Sequence, residues 1–226
     1  IDPNGYVWLG SNNGLCMFNP ESEIFTTFKH SSTKSNSLLA NNIFDLLISS
    51  DQKLWVGTEN GGISILDLKK MMFITPETAV FKNIRYKDSE EGISNSTVRC
   101  IFEDSFHNIW IGTYGGGVNF ISNTENYFNK RIYSPIPGGI NNLSNKVAWG
   151  LCSDAQDNMW IGTDGGGIDV FKNGRKIRNL SAENTILKSN SILSAIKDSN
   201  DNLWFGTYRG GVYFYNSKTR QFEYID

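Results

Sequence analysis

The apolar residues of this chain come in short bursts of four to six, many alternating at period two. Clusters of Gly, Asn, Asp and Ser cut them off. Period-two alternation predicts half-buried strands, and no 3.6-residue periodicity persists beyond a turn or two. One burst recurs five times: Trp8-Leu9-Gly10-Ser11, Trp55-Val56-Gly57-Thr58, Trp110-Ile111-Gly112-Thr113, Trp160-Ile161-Gly162-Thr163 and Trp204-Phe205-Gly206-Thr207. The tryptophans stand 47, 55, 50 and 44 residues apart. A long repeat of this kind predicts units that bury their faces on one another.

Aligning the units on Trp brings more into register. Six residues upstream stands Asp2, Ser49, Asp104, Asp154 or Asp198, followed by turn formers such as Asp157-Asn158 and Asp201-Asn202. Asp and Asn bond their own backbone, so these stretches predict hairpin turns. The apolar runs before them predict a strand A at Ile43 to Ile48, Val98 to Phe102, Val147 to Cys152 and Ile192 to Ile196. Trp-x-Gly-Thr is then strand B. Its Gly permits close approach of a neighbour, and its hydroxyl is placed to bond the next turn. Asn60-Gly61-Gly62, Gly115-Gly116-Gly117, Gly165-Gly166-Gly167 and Arg209-Gly210-Gly211 predict turns with positive φ. Strand C follows at Ile63/Ile65, Val118/Phe120, Ile168/Val170 and Val212/Phe214, and strand D opens at Phe25, Ile177 and Phe222.

Four short antiparallel strands per unit of about 45 to 55 residues is the arithmetic of a β-propeller blade. The expected fold is all-β, a β-propeller segment of about five four-stranded antiparallel blades over residues 1–226. The blades span approximately 1–37 (incomplete, lacking strand A), 38–92, 93–141, 142–188 and 189–226. The tryptophans Trp55, Trp110, Trp160 and Trp204 are expected to be buried between successive sheets. Unit four is expected to carry an extra residue near Ala148. The chain starts at Ile1 and leaves its first blade one strand short, so an arc of a larger, seven-bladed propeller is expected.

Composition narrows the function. The 226 residues are 39% hydrophobic, 13% aromatic and only 19% charged, with 22 glycines. Basic residues number 21 and acidic residues 23, a net charge of −2. That balance offers no field for nucleic acid or an anionic membrane. No apolar run reaches the roughly 18 residues of a membrane span. Cys16, Cys100 and Cys152 form no CxxC pair and read as small buried hydrophobes. The two histidines are His30, in a polar loop, and His107, in a turn. No metal spacing and no nucleophile elbow is present, so neither cofactor, metal nor catalytic residue is expected.

The phrase Leu143-Ser144-Asn145-Lys146-Val147, with Asp154 and Trp160-Ile161-Gly162-Thr163, resembles the two-component regulator propeller repeat. It recurs around Trp55, Trp110 and Trp204 and covers nearly the whole chain. Ser49 in place of the turn Asp and a shorter Gly turn in unit one are departures. The resemblance implies the periplasmic sensor of a Bacteroidetes hybrid two-component system. The full-length protein would then hold two seven-bladed propellers, a small β-sandwich, a membrane helix, histidine kinase, receiver and DNA-binding domains. It implies an oligosaccharide ligand and the remaining blades and sensor domains of the same polypeptide as partners, while the two unpaired blade ends, each presenting a sheet face and an edge strand, predict a homo-oligomer. A protein-interaction propeller is the alternative, and behind it a propeller lyase or glycosidase. The lyase would need a catalytic His with a metal-supporting carboxylate.

In a propeller the B–C turns and D-to-A connections share one face. The repeat is broken there at Glu59, Tyr114, Asp164, Tyr208 and Arg209, and in strand A at Phe44, Arg99, Trp149 and Leu193. Sugars are held by aromatic stacking and fans of polar hydrogen bonds. Arg99, Trp149, Tyr114, Asp164, Tyr208, Arg209 and Glu59 are therefore the expected ligand-binding residues.

Overall fold

The computed structural model describes residues 1–70, 74–87, 92–123 and 142–225. They form five antiparallel sheets in succession. The first holds β1 (Val7–Ser11), β2 (Gly14–Asn19) and β3 (Ile24–Phe28). The second holds β4 (Ile43–Ile48), β5 (Lys53–Thr58), β6 (Gly62–Asp67) and β7 (Phe81–Ile84). The third comprises β8 (Val98–Glu103), β9 (Ile109–Thr113) and β10 (Val118–Ile121), and its expected fourth strand lies outside the described residues. The fourth holds β11 (Ala148–Ser153), β12 (Met159–Thr163), β13 (Gly167–Lys172) and β14 (Arg175–Leu180). The fifth holds β15 (Ile192–Lys197), β16 (Leu203–Thr207), β17 (Val212–Asn216) and β18 (Gln221–Ile225). The first strands of successive sheets converge, β4 on β8, β8 on β11 and β11 on β15, which sets the inner edge of an unclosed propeller.

Four apolar cores fill the gaps between the five sheets. Strand B serves two of them by alternation. Trp55 faces forward to Val98, Ile101, Ile109 and Ile111 of the third sheet. Leu54 and Val56 face back, into the core with Trp8 and Phe28. Trp110 and Trp160 repeat the arrangement one and two sheets on. The ends of the row show what the neighbours contribute. Leu9 is 45% exposed, whereas its counterparts Val56, Ile111, Ile161 and Phe205 are at 0%. Trp204 is only half-buried, not enclosed as the sequence suggested, because no further sheet covers it. It leans on Phe214 of its own sheet at 4.8 Å. Cys16 is likewise half-buried, on the end sheet, while Cys100 and Cys152 are buried as expected. Burial pushes both of those thiols far above the ordinary range, so they stay protonated and inert.

The upstream Asp does more than make a turn. Asp154 Oδ1 accepts the Gln156 and Asn158 amides at 3.0 and 2.9 Å, while Oδ2 accepts the Trp160 indole N–H at 3.0 Å. Asp2, Asp104 and Asp198 accept the indoles of Trp8, Trp110 and Trp204 in the same way, at 2.9, 2.8 and 3.0 Å. In unit two Ser49 Oγ accepts the Trp55 indole at 3.2 Å and donates to Asp51 at 2.5 Å. The buried ring thus leaves no orphan donor, which would otherwise cost about 1–3 kcal/mol.

Strand B Gly and Thr do the work their types suggest. A Cβ on Gly57 would lie 2.8 Å from Val98 of the next sheet. Thr58, Thr113, Thr163 and Thr207 each donate to the carbonyl of the Gly that ends the B–C turn, at 2.8 to 2.9 Å. Unit four holds no extra residue. Ala148, not Val147, pairs with Thr163, as Val98 pairs with Thr113 and Ile192 with Thr207. Ala148 takes over Gly112 the place that Val98 takes over Gly57 and Ile192 over Gly162, and like them it stands 12 residues before its Trp.

Two outcomes are expected. Trp110→Ala should cost about 3–5 kcal/mol in urea denaturation, and Trp204→Ala clearly less, since that residue is already partly exposed. Acid should loosen the last blade. The indole of Trp204 and then the turn donors hold the Asp198 carboxyl below its ordinary value, against partial desolvation. Such a group stabilises above its unfolded pKa of about 3.9 and loses that effect as pH falls through the folded value. Stability measured between about pH 2 and 4 should therefore fall with acid, and Asp198→Asn should flatten the slope.

Candidate ligand-binding face

The pairing of strand A with strand B slips by one residue in each of the four units that carry strand A. Ile43 pairs with Thr58 but Asp45 with Gly57, leaving Phe44 between them. Val98/Thr113 and Cys100/Gly112 leave out Arg99. Ala148/Thr163 and Gly150/Gly162 leave out Trp149, and Ile192/Thr207 and Ser194/Gly206 leave out Leu193. These are β-bulges, which bend a strand and re-aim the extra side chain. The four bulged residues are the strand A positions at which the sequence broke its repeat.

Three of them meet. The Arg99 guanidinium lies 4.0 Å from the Phe44 ring centroid and 4.3 Å from the Trp149 ring, so residues from three sheets form one stack. Tyr114, half-exposed on the adjoining B–C turn, lies 5.1 Å from the same guanidinium. Each such cation–π contact is worth about 0.5–1 kcal/mol when exposed and about 2 when desolvated. Trp149 belongs to none of the four apolar cores. Arg99 Nε and Trp149 Nε1 are both shut off from water and have no hydrogen-bond partner.

The B–C turns lie beside the start of strand A. The amides of Glu59, Tyr114, Asp164 and Tyr208 donate to the carbonyls of Asn42, Thr97, Val147 and Ser191, at 2.9 to 3.0 Å. The expected site residues thus share a face but not a cluster. Arg99, Trp149 and Tyr114 come together. Tyr208 and Arg209 pair with each other at 5.0 Å on the fifth unit. Glu59 is taken up by the Asn42 side-chain amide at 2.6 Å, and Asp164 sits half-buried on the fourth unit. Phe44, missing from the expected set, is the residue that completes the stack. The signal for it was its place in the same variable column as Arg99 and Trp149.

Titratable groups elsewhere are engaged by the scaffold. Asp45 is half-buried, and the loss of water raises its carboxyl above the ordinary value, while the Ile101 and Leu46 amides pull the other way. His30 Nδ1 lies 2.6 Å from the Leu38 carbonyl, and the half-exposed His107 lies 3.3 Å from Glu103. Among the described residues no group of three His, Cys, Asp or Glu side chains could hold a metal ion.

The bulge, the Asp turn and the Trp strand recur as one block. A family profile, two component regulator propeller, matches residues 37–60, 92–115, 142–165 and 186–209. Four of the five units are two-component regulator propeller repeats. Each match runs from just before strand A to the first residues of the B–C turn, and so contains one bulge and the turn Asp or Ser with the indole it accepts. The chain is similar over its whole length to the extracellular domain of a hybrid two-component system of B. thetaiotaomicron, with 41% identity and a TM-score of 0.43. Over 93% of its length it is similar to PorZ, a surface component of the type-IX secretion system of Porphyromonas gingivalis, at 17% identity and a TM-score of 0.68. A streptogramin B lyase matches the whole chain at 16% identity and a TM-score of 0.67, with 66% of the lyase covered. These last two show the shared propeller fold alone. The chain spans 27% and 30% of the first two proteins. No curated protein matches it.

Proposed function

We propose that this chain is a ligand-sensing segment of the extracytoplasmic, periplasmic propeller of a hybrid two-component system sensor. In this reading it contributes to recognition of an oligosaccharide and passes the signal to a histidine kinase outside these residues. Its partners are the remaining blades and sensor domains of the same polypeptide and a second copy of the sensor. The repeat family supports the two-component context. The observation that carries the ligand site is the Phe44–Arg99–Trp149 stack, built at bulges, outside every core, on the face shared with the variable B–C turns. Flat rings at an open edge suit the apolar face of a sugar, and Tyr114, Asp164, Glu59, Tyr208 and Arg209 supply polar contacts around it. The scaffold does not need these residue types, since Leu193 fills the same bulge in the fifth unit.

Trp149→Ala in the intact protein should lower oligosaccharide affinity at least ten-fold in calorimetry while the melting temperature moves by only a few degrees. A stable variant with unchanged affinity removes Trp149 from the site. Affinity that falls only in step with stability assigns Trp149 to packing instead. The segment is read as non-enzymatic: the same oligosaccharide, incubated with the protein and followed by mass spectrometry, should be recovered intact. Cleavage that Ala substitution of His30 or His107 abolishes would overturn this.

A further inference from the structure

We infer that the stack around Arg99 takes an oxyanion carried by the ligand, a carboxylate or a sulfate ester on a saccharide. This deepens the sensing proposal and rests on it. Two rings pack against the guanidinium, Phe44 at 4.0 Å and Trp149 at 4.3 Å, which leaves its edge to attract a partner. That edge carries N–H donors suited to a planar or tetrahedral oxyanion. No acceptor among the described residues meets it. Arg99 makes no ion pair and no hydrogen bond among the described residues, and its Nε is buried without a partner. Trp149 Nε1, in the same stack, is a second buried donor without an acceptor.

Of the carboxylates on this face, Asp45 and Glu59 are committed elsewhere, and Asp164 forms no ion pair with Arg99. Asp45, next to Phe44, accepts the Ile101 amide at 2.7 Å and the Leu46 amide at 2.9 Å. Glu59 accepts from Asn42. A half-buried charge with no counter-ion and two stranded N–H groups is a cost the fold has no need of, since a Leu occupies the equivalent bulge of the fifth unit. The rings packed on the guanidinium restrict its motion, so an arriving oxyanion meets donors already held in place. A neutral sugar would gain the ring contacts only and would leave the charge unmatched.

The test compares three disaccharides on the intact protein by calorimetry: one with a glucuronate, its neutral glucose counterpart, and that counterpart bearing one sulfate ester. At least one acidic sugar should bind ten-fold or more tightly than the neutral one, and the advantage should shrink as salt rises. The arm that wins distinguishes carboxylate from sulfate. Arg99→Met keeps the stem between the rings and should abolish the preference. Arg99→Lys keeps the charge without the fork and should retain a part of it, which decides the matter if the Met variant melts early. Equal binding of neutral and acidic sugars, dependent on Trp149, overturns this inference and leaves oligosaccharide sensing standing. An acidic preference that survives Arg99→Met also overturns it. If none of the three sugars binds, the sensing proposal fails for them, and sodium sulfate then decides the oxyanion site. A melting-temperature rise seen in wild type and lost in Arg99→Met supports it, and an equal rise in both removes it.

Discussion

The rest of the molecule depends on one acceptor in each blade, a carboxylate in four of the five, held between a turn and an indole. One oxygen gathers the amides of the turn between the first and second strands, and the other takes the indole N–H six residues on. The turn therefore determines the tilt of the ring, and the ring, as the largest group in the gap, determines how the next sheet lies. A tryptophan without that acceptor would either bury a bare N–H or swing it towards water and open the core. Unit two shows how little latitude exists. The Asp is lost, yet Ser49 keeps an oxygen in the same place and relies on Asp51 to orient it.

Close spacing imposes a second condition, met by what is absent. The Gly of the second strand is a notch into which the next blade's first strand fits, Val98 against Gly57 and Ile192 against Gly162. Where that fit is made the first strand slips a residue, and the side chain left over belongs to no core. Large rings thus fill the gaps, while the inner edge carries residues chosen on other grounds. The end sheets display the same logic in reverse. Leu9 and Trp204 keep the identity of core residues but lack a surface to lie against.

Much of this was legible in the sequence because it repeats. Five copies of Trp-x-Gly-Ser/Thr pick out the second strand, and Gly pairs mark the turns after it. What could not be read was whatever depended on the neighbouring sheet. The apolar pattern favours Val147 as the start of its strand, and the pairing with Thr163 shows that Ala148 takes that position. A bulge interrupts alternation by a single residue, which in a string of letters is indistinguishable from a variable position. Arg99 and Trp149 were singled out by their irregularity, but their contact was invisible. So was the part of Phe44, 55 residues upstream of Arg99, because a stack across three sheets has no local signature.

The placement of the bulges bears on how such a protein changes over generations. Core positions are constrained from two sides, since a wider ring strains the next blade and a narrower one leaves a void. The bulged side chains are free of that constraint. One exchangeable position per blade, set at the inner edge and insulated from folding, lets a lineage redraw what the surface recognises without first redesigning what holds it up. A duplication of one blade would add another such position in register with the others.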